Sequence, residues 1–150
     1  MKLKLYFLKN YPESIGLPSY ATSGSAGFDV RSVENLSIKA GETKLVHLGI
    51  TAKIPAGYEV QLRSRSGLAL KKSVFLMNGV GTIDSDYYPN EWGAIVHNGG
   101  TEDFVVEAGD RIAQAVLCKL PKVTLERIYE DPVETAGNDR KGGFGSTGVK

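Results

Sequence analysis

Residues 36–63 run Leu36-Ser37-Ile38-Lys39, then Ala40-Gly41-Glu42, then Thr43 to Ile50, then Pro55-Ala56-Gly57 and Tyr58 to Arg63. Short runs of aliphatic and β-branched residues are cut by turn residues at close intervals. The first two runs, joined by a glycine-containing turn, predict a β-hairpin. The alternating character from Tyr58 to Arg63 predicts a half-buried strand. The pattern extends in both directions. Lys2 to Leu8 is rich in aromatic and aliphatic residues, and Phe28 to Val33 is a short run. Trp92 to His97 ends at Asn98-Gly99-Gly100, a strong turn signal. Phe104–Val106, Ile112–Leu120 and Val123–Ile128 complete the series. The one predicted helix is short, near Leu68 to Lys72. The lack of strand–helix alternation argues against a doubly wound nucleotide-binding fold and for an antiparallel sandwich or barrel.

The chain has 150 residues, enough for one domain with a real core. Its 18 basic residues balance 17 acidic ones, so the net charge of +1 argues against a protein that coats nucleic acid. A local basic site for a phosphate-bearing ligand is compatible with that balance. Cys118 is the only cysteine, which excludes an intrachain disulfide, and its apolar surroundings predict a core position. The apolar run at the N-terminus is too short for a signal peptide, and no stretch approaches the roughly 18 apolar residues of a membrane span. A reducing, soluble compartment is expected: cytoplasm, or nucleus for a eukaryotic or viral source. Composition shifts after Asp131. Residues 131–150 have few apolar groups and five glycines, which predicts a core domain over 1–130 and a mobile arm over 131–150.

Four segments carry chemistry-bearing residues. Asn78-Gly79-Val80-Gly81-Thr82-Ile83-Asp84-Ser85-Asp86-Tyr87-Tyr88 sets two carboxylates beside a tyrosine and after glycines that let backbone approach a ligand. It reads either as a small-molecule pocket wall or as a plain hairpin with solvated acids. Arg65-Ser66-Gly67 offers a guanidinium fork, a hydroxyl and open backbone N–H groups, as a phosphate site or as a surface turn. Gly109 to Gln114 enters a strand from a turn; Asp110 and Arg111 are expected to form a turn-stabilising ion pair, and Gln114 to hold a water or phosphate or to face solvent. Arg140-Lys141-Gly142-Gly143-Phe144-Gly145-Ser146-Thr147-Gly148 combines cations, hydroxyls and an aromatic among glycines. It lacks the spacing of a P-loop, and reads as an arm that orders over phosphates or as a loose end. His47 and His97 match no zinc spacing.

Taken together with Ala26-Gly27-Phe28-Asp29, these segments occur in an order and spacing that closely resembles the trimeric deoxyuridine triphosphate nucleotidohydrolases (dUTPases), over residues 26–148. The resemblance implies an all-β, distorted jelly-roll-like barrel with one short helix and a flexible C-terminal arm. It implies a homotrimer with sites shared between subunits, dUTP as substrate, and neither nucleic acid nor membrane as partner. It implies hydrolysis of dUTP to dUMP and pyrophosphate, which limits uracil incorporation into DNA and supplies thymidylate synthesis. Asp84 is then the general base. Tyr87 stacks on the deoxyribose and leaves no room for a 2′-hydroxyl. Backbone of a hairpin from Asn78 through Gly81, Thr82 and Ile83, closing near Gly93, reads uracil. Arg65, Ser66 and Gly67 hold phosphates, and Gln114 positions water and phosphate. Arg140, Phe144, Gly145, Ser146 and Thr147 form the closing arm. The resemblance further implies Mg²⁺ held mainly by the substrate's phosphates, with Asp29 reaching its water shell. Three departures stand out. Ser64 replaces a usual proline and leaves that turn less constrained. Asp139 stands where the tail arginine is usual, with Arg140 one residue closer to Phe144. The stretch Tyr88-Pro89-Asn90-Glu91-Trp92 is one residue longer than common. A dCTP deaminase of the same fold, or a nucleotide-sensing regulatory protein, is the alternative.

Overall fold

The computed structural model describes residues 2–129. The expected arm, with Arg140, Phe144, Gly145, Ser146 and Thr147, lies outside the described residues. Eleven strands are assigned among those residues: β1 (Lys4–Phe7), β2 (Phe28–Arg31), β3 (Leu36–Ile38), β4 (Thr43–His47), β5 (Ile50–Lys53), β6 (Tyr58–Ser64), β7 (Val74–Leu76), β8 (Val80–Ile83), β9 (Gly93–Asn98), β10 (Phe104–Val106) and β11 (Arg111–Lys119). One α-helix, α1 (Ser66–Lys72), starts two residues before its predicted first residue, and a single 3-10 turn spans Glu13–Ile15. Every strand pair is antiparallel. The pairs form sheets β2-β11-β6-β8 and β4-β9-β7, with two-stranded β1-β5 and β10-β3 beside them. One apolar core draws on both larger sheets: Val30, Val60, Leu62 and Ala115 from the first, Val46, Leu76, Ala94 and Val96 from the second. The fold is the expected all-β, jelly-roll-like one. No helix among the described residues is long and apolar enough to cross a membrane.

The turn at residues 39–42 is as expected, but the hairpin is not. The Glu42 N–H donates to the Lys39 carbonyl, and Gly41 takes a left-handed φ of 76°. The strands it joins then part: β3 pairs with β10 and β4 pairs with β9. Turn residues dictate that the chain reverses, not which strand it pairs with. The run Thr43–Ile50 also breaks in two at Gly49, whose φ is 62° and where a Cβ would sit 2.6 Å from Val33 Cγ1. Only glycine fits that corner.

Two further expectations fail. Val123–Ile128 forms no strand: Val123, Leu125 and Ile128 are exposed, with no strand of the same chain beside them among the described residues. Cys118 is half-buried on β11, its sulfur 3.8 Å from an Arg63 guanidinium nitrogen, and is not a core residue. Asn98 does behave as its turn motif predicts. Its buried side chain donates to the Ile38 and Glu102 carbonyls and accepts the Gly100 N–H, so every bond is internal.

Candidate active site

Strand β8 leaves a corner at Met77–Gly79 and pairs with β6, while β7 on the other side of that corner pairs with β9. Residues 78–83 are therefore a corner plus one strand bridging two sheets, not a self-paired hairpin. The gap this creates is a cavity of about 410 Å³. Asn78, Gly81, Thr82, Ile83, Tyr87 and Gly93 all line it. All of the residues expected to face base and sugar thus converge on one hollow. Glycine lets neighbouring side chains pack closely at both walls. A Cβ on Gly81 would meet Leu62 Cβ at 3.2 Å, and one on Gly93 would meet Leu45 Cδ1 at 2.7 Å. Asp84 directly follows Ile83 and is exposed. Tyr87 is 42% exposed, so much of its ring surface remains open to a ligand.

A second group forms where β2, β11 and β6 meet. Gln114 of β11 stands opposite Asp29 of β2 on one side and Arg63 of β6 on the other. Arg65, just past β6, donates Nε–H to Asp29 Oδ1 at 3.0 Å and Nη1–H to the Arg111 carbonyl at 3.0 Å. Arg111 Nη1 donates to Asp29 Oδ2 at 3.2 Å. The carboxylate is thus held by two guanidinium groups, and Arg65 is fixed in place before any anion arrives. Gln114 Nε2 donates to the Ser64 carbonyl at 3.0 Å. Ser66 and Gly67 open helix α1 and are exposed. Gly27 allows β2 to approach β11: a Cβ there would meet the Ala115 carbonyl at 2.9 Å and Gln114 Oε1 at 3.4 Å.

The expected ion pair between Asp110 and Arg111 is not formed. Asp110 instead accepts the Glu107 N–H across the turn, and Arg111 reaches Asp29. Local spacing gave no signal for that contact, because its partners are 82 residues apart. Ser64 does not loosen its turn. Its hydroxyl accepts the Leu76 N–H at 2.9 Å and ties β6 to β7. Sequence reasoning also missed Leu45, His47, Leu62, Glu91, Trp92 and Ile95 as cavity walls. None of Asp29, Arg65, Ser66, Gly67 and Gln114 lines the cavity, so in one chain the two groups are neighbours joined by β6 rather than one pocket.

Among the described residues no cluster of three or more His, Cys, Asp or Glu could cage a metal. Asp29 spends two acceptor positions on arginines and keeps lone pairs for water. This donor set suits a cation carried by a phosphate ligand and touched through water, not one caged by protein.

The family model for dUTPase matches residues 13–148. The deoxyuridine 5'-triphosphate nucleotidohydrolase of Helicobacter pylori (strain P12) is 42% identical, over 99% of this chain and 98% of that protein. The protein of that name from Wolinella succinogenes is 44% identical, over 98% of this chain and 95% of its own length. The crystal structure of dUTPase from Streptococcus mutans superposes with a TM-score of 0.75 at 32% identity, covering 80% of this chain and 98% of that one.

Proposed function

The chain belongs to the dUTPase family, and on that footing we propose that it hydrolyses dUTP to dUMP and pyrophosphate. One observation carries this reading: Asn78, Gly81, Thr82, Ile83, Tyr87 and Gly93 line a single cavity whose β8 wall runs straight into an exposed carboxylate, Asp84.

In the proposed reaction uracil enters the cavity. Backbone donors and acceptors of residues 78–83 match its edge. Cytosine leaves part of that set unpaired, which discriminates by roughly 10⁴-fold. Tyr87 lies against the deoxyribose and excludes a 2′-hydroxyl. Asp84 orients a water and takes its proton as the oxygen attacks the α-phosphorus. The new bond is oxygen to Pα; the bond that breaks joins Pα to the bridging oxygen of the β-phosphate, and pyrophosphate leaves. Arg65, Ser66 and Gly67 hold the phosphates. Gln114 gives one amide N–H to the Ser64 carbonyl, which leaves its carbonyl oxygen and its second N–H to orient water and phosphate. Phosphoryl chemistry asks for positioning and charge neutralisation more than covalent help, and a fixed arginine supplies both.

Mg²⁺ would be held mainly by the triphosphate, with Asp29 contacting its water shell, and when bound it offsets charge on the phosphate oxygens. Arg140, Phe144, Gly145, Ser146 and Thr147 are proposed to cover the bound phosphates. The split between the cavity and the Asp29–Arg65–Gln114 group supports an assembly in which one subunit's cavity meets another's phosphate group, and the resemblance to trimeric dUTPases makes a homotrimer the form proposed. Removing dUTP limits uracil in DNA, and dUMP feeds thymidylate synthesis.

The test is incubation with dUTP or dCTP and Mg²⁺, with pyrophosphate and ammonia measured separately. Pyrophosphate from dUTP alone is expected. Ammonia from dCTP would indicate a deaminase, and release of neither product would indicate a nucleotide-binding regulator.

A further inference from the structure

We propose that Glu91 is a positioning residue for Tyr87 and thereby sets how strongly the cavity rejects a ribose 2′-hydroxyl; this rests on the role of Tyr87 proposed above. Residues 84–92 leave β8 and return to β9 on the facing wall of the cavity. They form no strand of their own, so other bonds must fix them. At the distal end, Glu91 Oε1 accepts the Gly49 N–H at 2.8 Å, and Oε2 lies 3.1 Å from His47 Nδ1. Next in the chain, Asn90 donates twice to the Tyr87 carbonyl, through its backbone N–H at 3.0 Å and its side-chain Nδ2 at 2.8 Å. The Tyr87 N–H in turn donates to the Asp84 carbonyl at 3.2 Å. A continuous path of bonds therefore runs from the β4–β5 corner through Glu91, Asn90 and Tyr87 to Asp84.

The corner that receives Glu91 is rigid. Trp92 donates its N–H to the Ile50 carbonyl at 2.8 Å and accepts the Leu48 N–H at 3.2 Å, on either side of Gly49. Gly49 itself is walled in by Val33 and Tyr11. Glu91 thus joins a firm part of the barrel to a loop that has turn bonds but no strand pairing of its own, and both Glu91 and Tyr87 line the cavity. A second anchor lies on Tyr88, whose ring is 5.2 Å from that of Tyr6 with Lys53 Nζ 5.0 Å from its centroid. Loss of Glu91 leaves that anchor in place. The loop then stays attached at Tyr88, while the carbonyl of Tyr87 loses its fixed reference.

The experiment is steady-state kinetics of the full chain with dUTP and UTP, each with Mg²⁺, for wild type, Glu91→Ala and Glu91→Gln. Glu91→Ala is expected to raise KM for dUTP on the order of tenfold, with kcat within about threefold, and to narrow the dUTP/UTP ratio of kcat/KM by about tenfold. Glu91→Gln keeps an oxygen acceptor for Gly49 and is expected to restore both. Should Glu91→Ala not fold, Glu91→Asp takes its place: one methylene shorter, it misses Gly49 and is expected to show the same pattern. Unchanged KM and unchanged discrimination would overturn the proposal, as would an equal loss on both nucleotides or a failure of Gln to rescue. A wild type that releases no pyrophosphate from dUTP would overturn the proposed function itself, whereas an active wild type with a silent Glu91→Ala overturns only the role of Glu91.

Discussion

The Ser64 hydroxyl accepts the backbone N–H of Leu76 at 2.9 Å, and this bond joins the two halves of the site. Ser64 precedes Arg65 on the phosphate side, and Leu76 lies two residues before Asn78 on the cavity side. Leu76 is buried, so its N–H has no water to turn to if the hydroxyl is lost. Leaving a buried donor unpaired costs about 1–3 kcal/mol. Ser64→Ala is therefore expected to lower stability by that amount. Denaturant titration should show a lower midpoint with an unchanged slope; an unchanged midpoint would mean that the bond does not hold the corner.

Gly27 tests the seam between β2 and β11. An added methyl would press on the Ala115 carbonyl and on Val116 Cγ2, both at 2.9 Å. Backbone cannot yield as a side-chain tip can, and overpacking of this kind costs about 1–3 kcal/mol. Gly27→Ala is expected to lose that stability and, by crowding Gln114, to lower kcat. Thermal melting and turnover measured together check both effects.

Gly93→Ala should behave differently. Its new methyl would meet Leu45 Cδ1 at 2.7 Å, but Leu45 is 53% exposed and can swing aside. Stability should change by less than about 1 kcal/mol. Leu45 also lines the cavity, so its displacement is expected to raise KM for dUTP. Glu42 tests electrostatics away from the site. The Lys39 backbone N–H, at 2.7 Å, holds its carboxyl below the usual carboxylate range, with a smaller contribution from Lys44. A folded-state pKa that is lowered gives stability that is present above the unfolded value and lost as pH falls through the folded one. Glu42→Gln should melt below wild type at neutral pH, with the gap closing in acid; a gap that is constant with pH would rule out the carboxylate as its source.

Alternating runs and turn residues made most strands legible, because both are local signals; β7, three residues long at Val74–Leu76, was too short to register. Pairing was not legible. Leu36–Ile38 and Thr43–His47 look like hairpin arms, yet their partners, Phe104–Val106 and Gly93–Asn98, lie far along the chain. The site divides the same way. Glycines, Asp84, Tyr87 and Arg65 were visible as residue types in fixed order. Arg111 on Asp29 and Glu91 on Gly49 depend on the fold bringing remote segments together, and neighbouring sequence carries no trace of them. Val123–Ile128 has a strand's composition, but composition cannot supply the neighbour that a strand requires.

The most direct measurement is single-turnover and binding analysis of Asp84→Asn with dUTP and Mg²⁺. Asn keeps the shape of Asp but cannot take a proton from water. Nucleotide affinity close to wild type, with pyrophosphate release slowed by about 100- to 10,000-fold, is the predicted result. Turnover near the wild-type rate would contradict the account.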